Sequence, residues 1–221
     1  MALFEEKIQQ QLKEILKSMK EEVTIVNFTQ EIECPMCRET RLFVEEIGSL
    51  SEKLKVKVYN FVTDKEIAMR YKIDKIPAIA LLDKDEKDYG IRFYGLPGGY
   101  EINSFLGAIL ELSGKREPIP DELMKRIKSI DRDIHIQVFV SLGCPHCPAA
   151  VSTAHRLAME NEHITADMID ANNFVPLSQK YNVTGVPKIV FNDKFELIGA
   201  HPLNTFLDVI DRLKDYGINI D

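Results

Sequence analysis

Cys34-Pro35-Met36-Cys37 and Cys144-Pro145-His146-Cys147 are the two stretches on which the reading of this 221-residue chain turns. From residue 34 to residue 144 is 110 residues. The same shift carries Tyr71-Lys72-Ile73-Asp74-Lys75-Ile76-Pro77 onto Tyr181-Asn182-Val183-Thr184-Gly185-Val186-Pro187. Tyr meets Tyr, Ile meets Val twice, and Pro meets Pro. In each half the interval from first cysteine to that proline, 34 to 77 and 144 to 187, is 43 residues. An interval kept together with its local context marks an internal repeat, so the fold is one unit written twice.

The local patterns repeat as well. Val23–Phe28 and Ile134–Val140 are β-rich runs leading into each cysteine motif. Pro35 and Pro145 are expected one residue inside the helix that follows, where a missing N–H is harmless and the fixed φ suits the first turn. Helical patterns run on to Leu50 and to about Glu160. Second strands are expected at Lys55–Val62 and Ile164–Ile169, with a short helix ending at each tyrosine. Third strands follow at Ile79–Leu82 and Ile189–Asn192, and fourth strands at Ile91–Tyr94 and Glu196–Gly199. Helices at Ile102–Leu112 and Leu203–Leu213 close the halves. A leading amphipathic helix precedes each half, through Phe4, Ile8, Leu12, Ile15, Leu16 and Met19 in the first and over Asp121–Ile130 in the second. The expectation is an α/β protein of two units, 1–116 and 117–221, joined through Ser113–Pro120. Each is a four-stranded mixed sheet flanked by helices.

Composition narrows the function classes. Hydrophobic residues make up 45% and charged residues 29%, enough apolar material for real cores. A formal net charge of −7 with no basic cluster argues against nucleic acid as a partner. No apolar run is long enough to span a bilayer, and no signal-like segment opens the chain, so a cytoplasmic protein is expected. Four cysteines in that compartment point to catalysis or metal rather than structural bridges. Structural zinc also uses Cys-x-x-Cys, but Cys37 and Cys144 are 107 residues apart and each pair follows its own strand, so no metal is expected.

Two cysteines three apart at a helix start face the same side and can close a small disulfide ring. The first lies near the positive end of the helix dipole, which favours its thiolate. Cys34 and Cys144 are therefore expected to be nucleophiles, forming a mixed disulfide with a client. Cys37 and Cys147 are expected to resolve it. The matched spacing predicts cis bonds at Ile76-Pro77 and Val186-Pro187, which would offer backbone groups to an extended client strand.

A strand, a Cys-Pro-x-Cys helix start and a downstream Ile/Val-Pro resemble the thioredoxin and glutaredoxin superfamily. Two such units with both cysteine pairs intact resemble the glutaredoxin-like protein disulfide oxidoreductases of thermophilic archaea and bacteria, along essentially the whole chain. The resemblance implies two tandem thioredoxin-like units. It also implies reversible oxidation and reduction of protein disulfides, and isomerisation, with no bound cofactor beyond the redox-active disulfides Cys34–Cys37 and Cys144–Cys147. The partners it implies are client proteins with thiols or disulfides, and a thioredoxin-reductase-like flavoenzyme as electron donor. The chain departs from thioredoxin six residues before each first cysteine, where Phe28 and Val138 replace a buried acid.

The two centres differ in the residues expected to tune them. His146 can stabilise the thiolate beside it, whereas the first centre has Met36 and the acid Glu33, partly offset by Arg38. Cys144 is thus expected to have the lower thiol pKa and its pair the more oxidising potential. Alternative roles are a dedicated electron relay to a peroxiredoxin, and a client-binding module whose cysteines are structural.

Overall fold

β-branched and aromatic runs set the strands, and apolar residues at helical spacing set the helices between them. The computed structural model describes residues 3–215. The first half runs α1 (Glu6–Leu16), β1 (Val23–Thr29), α2 (Cys37–Ser49), β2 (Leu54–Asn60), α3 (Lys65–Arg70), β3 (Ala78–Leu82), β4 (Asp88–Tyr94) and α4 (Ile102–Leu112). A single 3-10 turn, Gly99–Glu101, leads into α4. The second half runs α5 (Asp121–Lys128), β5 (Ile134–Val140), α6 (Cys147–Glu160), β6 (Ile164–Asp170), α7 (Val175–Lys180), β7 (Lys188–Phe191), β8 (Phe195–Ile198) and α8 (Leu203–Asp215).

The strands form one eight-stranded sheet in the order β2-β1-β3-β4-β6-β5-β7-β8. Each half contributes four neighbouring strands of the expected kind, with β1 parallel to β2, β5 parallel to β6, and the last two antiparallel. The half-sheets merge because β4 pairs with β6 in parallel, Ile91 opposite Ala166 through Tyr94 opposite Ile169. Traced through these pairings, β1 and β5 run in the same direction. Both cysteine loops therefore leave the same edge of the sheet, four strand spacings or about 19 Å apart.

Alternation along the strands divides the interior into two layers. The larger cluster joins α1, α2, α4, α5, α6 and α8 to one sheet face, through Phe43, Ile47, Phe105, Ile127, Leu157 and Phe206. The smaller covers the opposite face under α3 and α7, with Phe28, Ala80, Tyr94 and Phe139 at its centre. Both clusters cross from one half to the other. On α1 the buried stripe is narrower than its periodicity predicts: Leu12 and Leu16, with Met19 just past the helix end, are buried, while Ile8 and Ile15 remain exposed.

Pro35 and Pro145 correct one expectation. They lie in the turns before α2 and α6, not inside the helices, which begin at Cys37 and Cys147. At the first centre the Cys37 N–H donates to the Cys34 carbonyl at 3.2 Å, which makes Pro35 the second residue of a tight turn. The fixed φ of proline suits that position equally well. The prolines just inside a helix are instead Pro148 of α6 and Pro176 of α7.

The seam between the halves is closed on one side by His155 of α6, whose ring stands edge-on to Phe93 of β4 at 4.7 Å between centroids. His155 is buried, and neither ring nitrogen has a hydrogen-bond partner. Burial therefore pushes its pKa down to about 4. The unfolded imidazole takes up a proton below its ordinary value of 6.5, while the folded one does so only near 4. The unfolded state thus binds more protons in that window, and stability falls as the pH drops through it. His155 alone should remove about 3 kcal/mol between pH 7 and pH 4. Urea unfolding of His155→Leu across this range should show a pH dependence flatter by that amount; parallel wild-type and variant curves would contradict it.

Candidate functional site

Each Cys-x-x-Cys stretch sits where a central strand ends and a helix begins, and in each the two sulfurs are bonded. The Cα atoms of Cys34 and Cys37 are 5.3 Å apart and those of Cys144 and Cys147 5.5 Å. Met36 and His146 occupy the N-cap positions of α2 and α6, so the sulfurs gather at the positive ends of two long helices. Cys37 and Cys147 are buried, whereas Cys34 and Cys144 are partly exposed. Only the first cysteine of each pair is open to a partner.

The two proline loops come to the same edge. Ile76-Pro77 and Val186-Pro187 are both cis. Each proline carbonyl is held from the neighbouring strand end: Gly95 N–H donates to Pro77 at 3.0 Å and Gly199 N–H to Pro187 at 2.8 Å. In the second centre the Val186 carbonyl oxygen lies 3.8 Å from the Cys144 sulfur. Pro77 and Pro187 are buried, while Ile76 and Val186 are partly open. The tuning residues spread outward: Glu33, Arg38 and His146 are exposed and Met36 is half-buried. Glu33 adopts a left-handed φ of 58°, which its counterpart Gly143 does not.

The rims of the two centres differ in chemistry. Phe61 N–H donates to the Thr29 carbonyl at 2.9 Å, which sets the loop after β2 beside the loop that carries Cys34. Two large apolar side chains stand in solvent there, Ile32 at 76% and Val62 at 67% exposure. In the second half Ala171 N–H makes the same bond to Val140, and the residue after it is Asn172. Leu142, which takes the place of Ile32, is half-buried.

Leu142 is covered by the first half of the chain. The Tyr100 N–H donates to the Leu142 carbonyl at 2.9 Å, and Gly99 beside it has φ 55°. A Cβ on Gly99 would come within 2.3 Å of that carbonyl oxygen, so only glycine permits the approach. Gly99 and Tyr100 thus clamp the loop of the second cysteine pair. The clamp brings in a residue that motif reading missed. Glu101 closes the 3-10 turn, which packs on α6, the helix that Cys147 begins. Its side chain is completely buried; the Ser104 hydroxyl donates to Oε2, and Oε1 has no hydrogen-bond partner. Burial pushes its pKa up to about 7, against the lowering effect of the Ser104 bond. No spacing from either cysteine pair marks Glu101 in the sequence, because the packing of its turn on α6 of the other half arises only in the fold.

Among the described residues no group of three or more His, Cys, Asp or Glu side chains could hold a metal ion, and no helix is long and apolar enough to cross a membrane.

Comparison with known proteins agrees with this geometry. Residues 134–211 match the thioredoxin domain family model. A protein disulfide oxidoreductase from Aeropyrum pernix superimposes with a TM-score of 0.89 at 25% identity, over 98% of this chain and 96% of that one. The N-terminal domain of alkylhydroperoxide reductase AhpF from Enterococcus faecalis superimposes with a TM-score of 0.86 at 28% identity, over 93% of this chain and 99% of that one. In sequence, an alkyl hydroperoxide reductase chain from Staphylococcus aureus is 28% identical over 185 residues, covering 84% of this chain and 33% of the relative. The chain thus spans about a third of the length of that curated relative.

Proposed function

We propose that this chain, a tandem pair of thioredoxin-like units similar along nearly its whole length to a protein disulfide oxidoreductase, exchanges disulfides with client proteins through both cysteine pairs. The single observation that carries this reading is the matched pair of centres. In each, a partly exposed cysteine is bonded to a buried one at a helix start, beside a cis-proline loop. In the reducing direction the thiolate of Cys34 or Cys144 attacks a client disulfide and forms a mixed disulfide, expelling one client thiolate. Cys37 or Cys147 then attacks the bonded sulfur, and the client leaves with both thiols while the centre becomes a disulfide. Two electrons pass from centre to client. Run backwards, the same steps oxidise a client dithiol, and a sequence of both isomerises one.

With about 19 Å between the cysteine loops, neither pair can attack the other directly, so each exchanges with its own partner. Ile32 and Val62 suit the first centre to apolar segments of client chains. Reduction of the pairs falls to a flavoenzyme of the thioredoxin-reductase type. A second reading is favoured by the relatives named as alkyl hydroperoxide reductases. In that reading the chain relays electrons from a flavoprotein to a hydroperoxide-reducing partner such as a peroxiredoxin.

Glu101 supplies what Val138 cannot, a buried group able to hold or release a proton near neutrality on the α6 side of the second centre. We assign it the proton exchanged with Cys147. Its carboxyl binds a proton more tightly folded than unfolded, so stability declines as pH rises from 4.5 through about 7.

Reduction of insulin disulfides by dithiothreitol tests the main reading. The wild-type chain should accelerate it, and Cys34→Ser combined with Cys144→Ser should abolish the acceleration; an unaffected double variant would end the redox assignment. Alkylation rates against pH in the reduced protein should give Cys144 the lower thiol pKa, because His146 sits beside it and Glu33 beside Cys34; the reverse order would overturn that assignment. Glu101→Gln should slow turnover by the second centre about a hundredfold near pH 7. The same variant should gain about 3 kcal/mol of stability relative to wild type between pH 4.5 and pH 8. Unchanged turnover alongside the stability gain would leave Glu101 without a catalytic part.

A further inference from the structure

The ladders of the sheet identify a polar residue at the first centre that a fixed 110-residue shift hides. In β1 and β3, Asn27 lies opposite Ile79; in β5 and β7, Val138 lies opposite Ile189. Ile79 and Ile189 each stand two residues after a cis proline. Asn27 and Val138 are therefore structural counterparts, and the loop into Cys34 is one residue longer than the loop into Cys144. Phe28, which the sequence shift sets against Val138, belongs to the opposite face with Phe139.

Asn27 is completely buried on the sheet face that carries Ile25 and Ile79, the face covered by α2. Its amide nitrogen donates to the carbonyl of Ala78, the residue after Pro77, at 3.1 Å. Its Oδ1 has no hydrogen-bond partner. An amide oxygen can only accept, and leaving one buried and unpaired is destabilising. The hydroxyls nearby are already engaged. Thr29 donates to the Cys37 carbonyl at 3.5 Å, which places this end of β1 against the first turn of α2, and Thr40 donates to the Met36 carbonyl at 2.8 Å. The buried polar group left in that turn is the sulfur of Cys37, which has no hydrogen while it is bonded to Cys34.

We propose that Asn27 is a positioning residue of the first centre, whose Oδ1 accepts the thiol hydrogen of Cys37 once the disulfide is reduced. The inference rests on the redox reading above. When dithiothreitol reduces the centre, its two thiols close to a cyclic disulfide, and two electrons and two protons pass to the sulfurs of Cys34 and Cys37. The new S–H of Cys37 satisfies Oδ1, so the dithiol is stabilised relative to the disulfide and Cys37 is held protonated until a mixed disulfide forms. The second centre has no such acceptor on β5, because Val138 fills the place.

The test equilibrates the full-length protein in dithiothreitol buffers of graded oxidation, traps free thiols by alkylation, and reads each pair by peptide mass spectrometry. Asn27→Val, which installs the residue of the other half, should lower the equilibrium constant for reducing Cys34–Cys37 about tenfold, equivalent to about 30 mV, and leave Cys144–Cys147 unchanged. Asn27→Asp keeps the size and an acceptor oxygen. It should retain wild-type or easier reduction at low pH and add a pH-dependent step to the first centre alone. A first-centre equilibrium unaltered in both variants, or equal shifts at both centres, would overturn the assignment of Asn27. Failure of the wild-type pairs to exchange with dithiothreitol at all would instead overturn the redox reading on which it rests.

Discussion

The hydrogen-bonded ladder between β4 and β6 is the constraint from which the rest of the arrangement follows. A four-stranded half-sheet ending at β4 or β6 would expose a row of N–H and C=O groups that water or another chain must satisfy. Parallel pairing from Ile91–Ala166 to Tyr94–Ile169 removes both edges at once. Flanking side chains commit the two halves to this register. On one face Phe93 packs against both Phe105 and His155, and Tyr94 meets Phe174 on the other. Arg156 of α6 reaches Glu111 of α4 at 3.5 Å, a pair largely shielded from solvent and so worth more than an exposed one, and donates to the Glu117 carbonyl at 2.6 Å at the surface. The same positions at the free end of the sheet are charged. Where α6 has Val151 and His155, α2 has Arg41 and Glu45, paired with each other in solvent. The copy that must dock is apolar and the copy that must not is ionic.

Because the joined strands run in parallel, the seam sets both redox pairs on one edge of the molecule and breaks the equivalence of their surroundings. The first centre is built by the first half alone and opens between Ile32 and Val62. The second is built by both, with Gly99 and Tyr100 pressed on the loop that carries Cys144. The second half cut from the first would keep its cysteines and its Val186-Pro187 loop but lose the clamp and the buried carboxyl of Glu101. The first unit is thus part of the second centre's environment as well as the host of its own.

Much of this is legible in the sequence, and the limits of legibility have physical causes. Cys34, Cys37, Cys144, Cys147 and the two cis prolines form local motifs whose spacing is fixed by one fold, so a constant interval exposes them. Pro35 and Pro145 fall about two residues short of the place expected for them, because a tight turn and a helix start both accept the φ of proline. Asn27 is hidden by one extra residue in the loop before Cys34, which moves β1 out of step with β5 without disturbing any motif. Glu101 lies beyond reach for a different reason. A glutamate after Gly-Gly-Tyr looks like a solvated helix start, and nothing local to it shows that its turn packs on α6 of the other half. Single-unit patterns reveal what each unit holds, and contacts between units stay silent until the strands are paired.

The buried polar groups show where the fold departs from its own stability. Oδ1 of Asn27 and Oε1 of Glu101 both lack hydrogen-bond partners. Each such atom typically costs about 1–3 kcal/mol, and an apolar residue of similar size would avoid the loss. Val138 shows that a sheet of this kind accepts an apolar residue at the place of Asn27. One unpaired atom stands on the face of β1 that meets the helix of Cys37, the other in a turn packed on the helix of Cys147. Yet the two solutions differ. An amide can hold a thiol hydrogen but cannot take the proton, whereas a carboxyl poised near neutrality can do both. In the proposed roles Asn27 acts on the equilibrium of the first centre and Glu101 on the rate of the second, a division that duplication of the backbone frame alone would not produce.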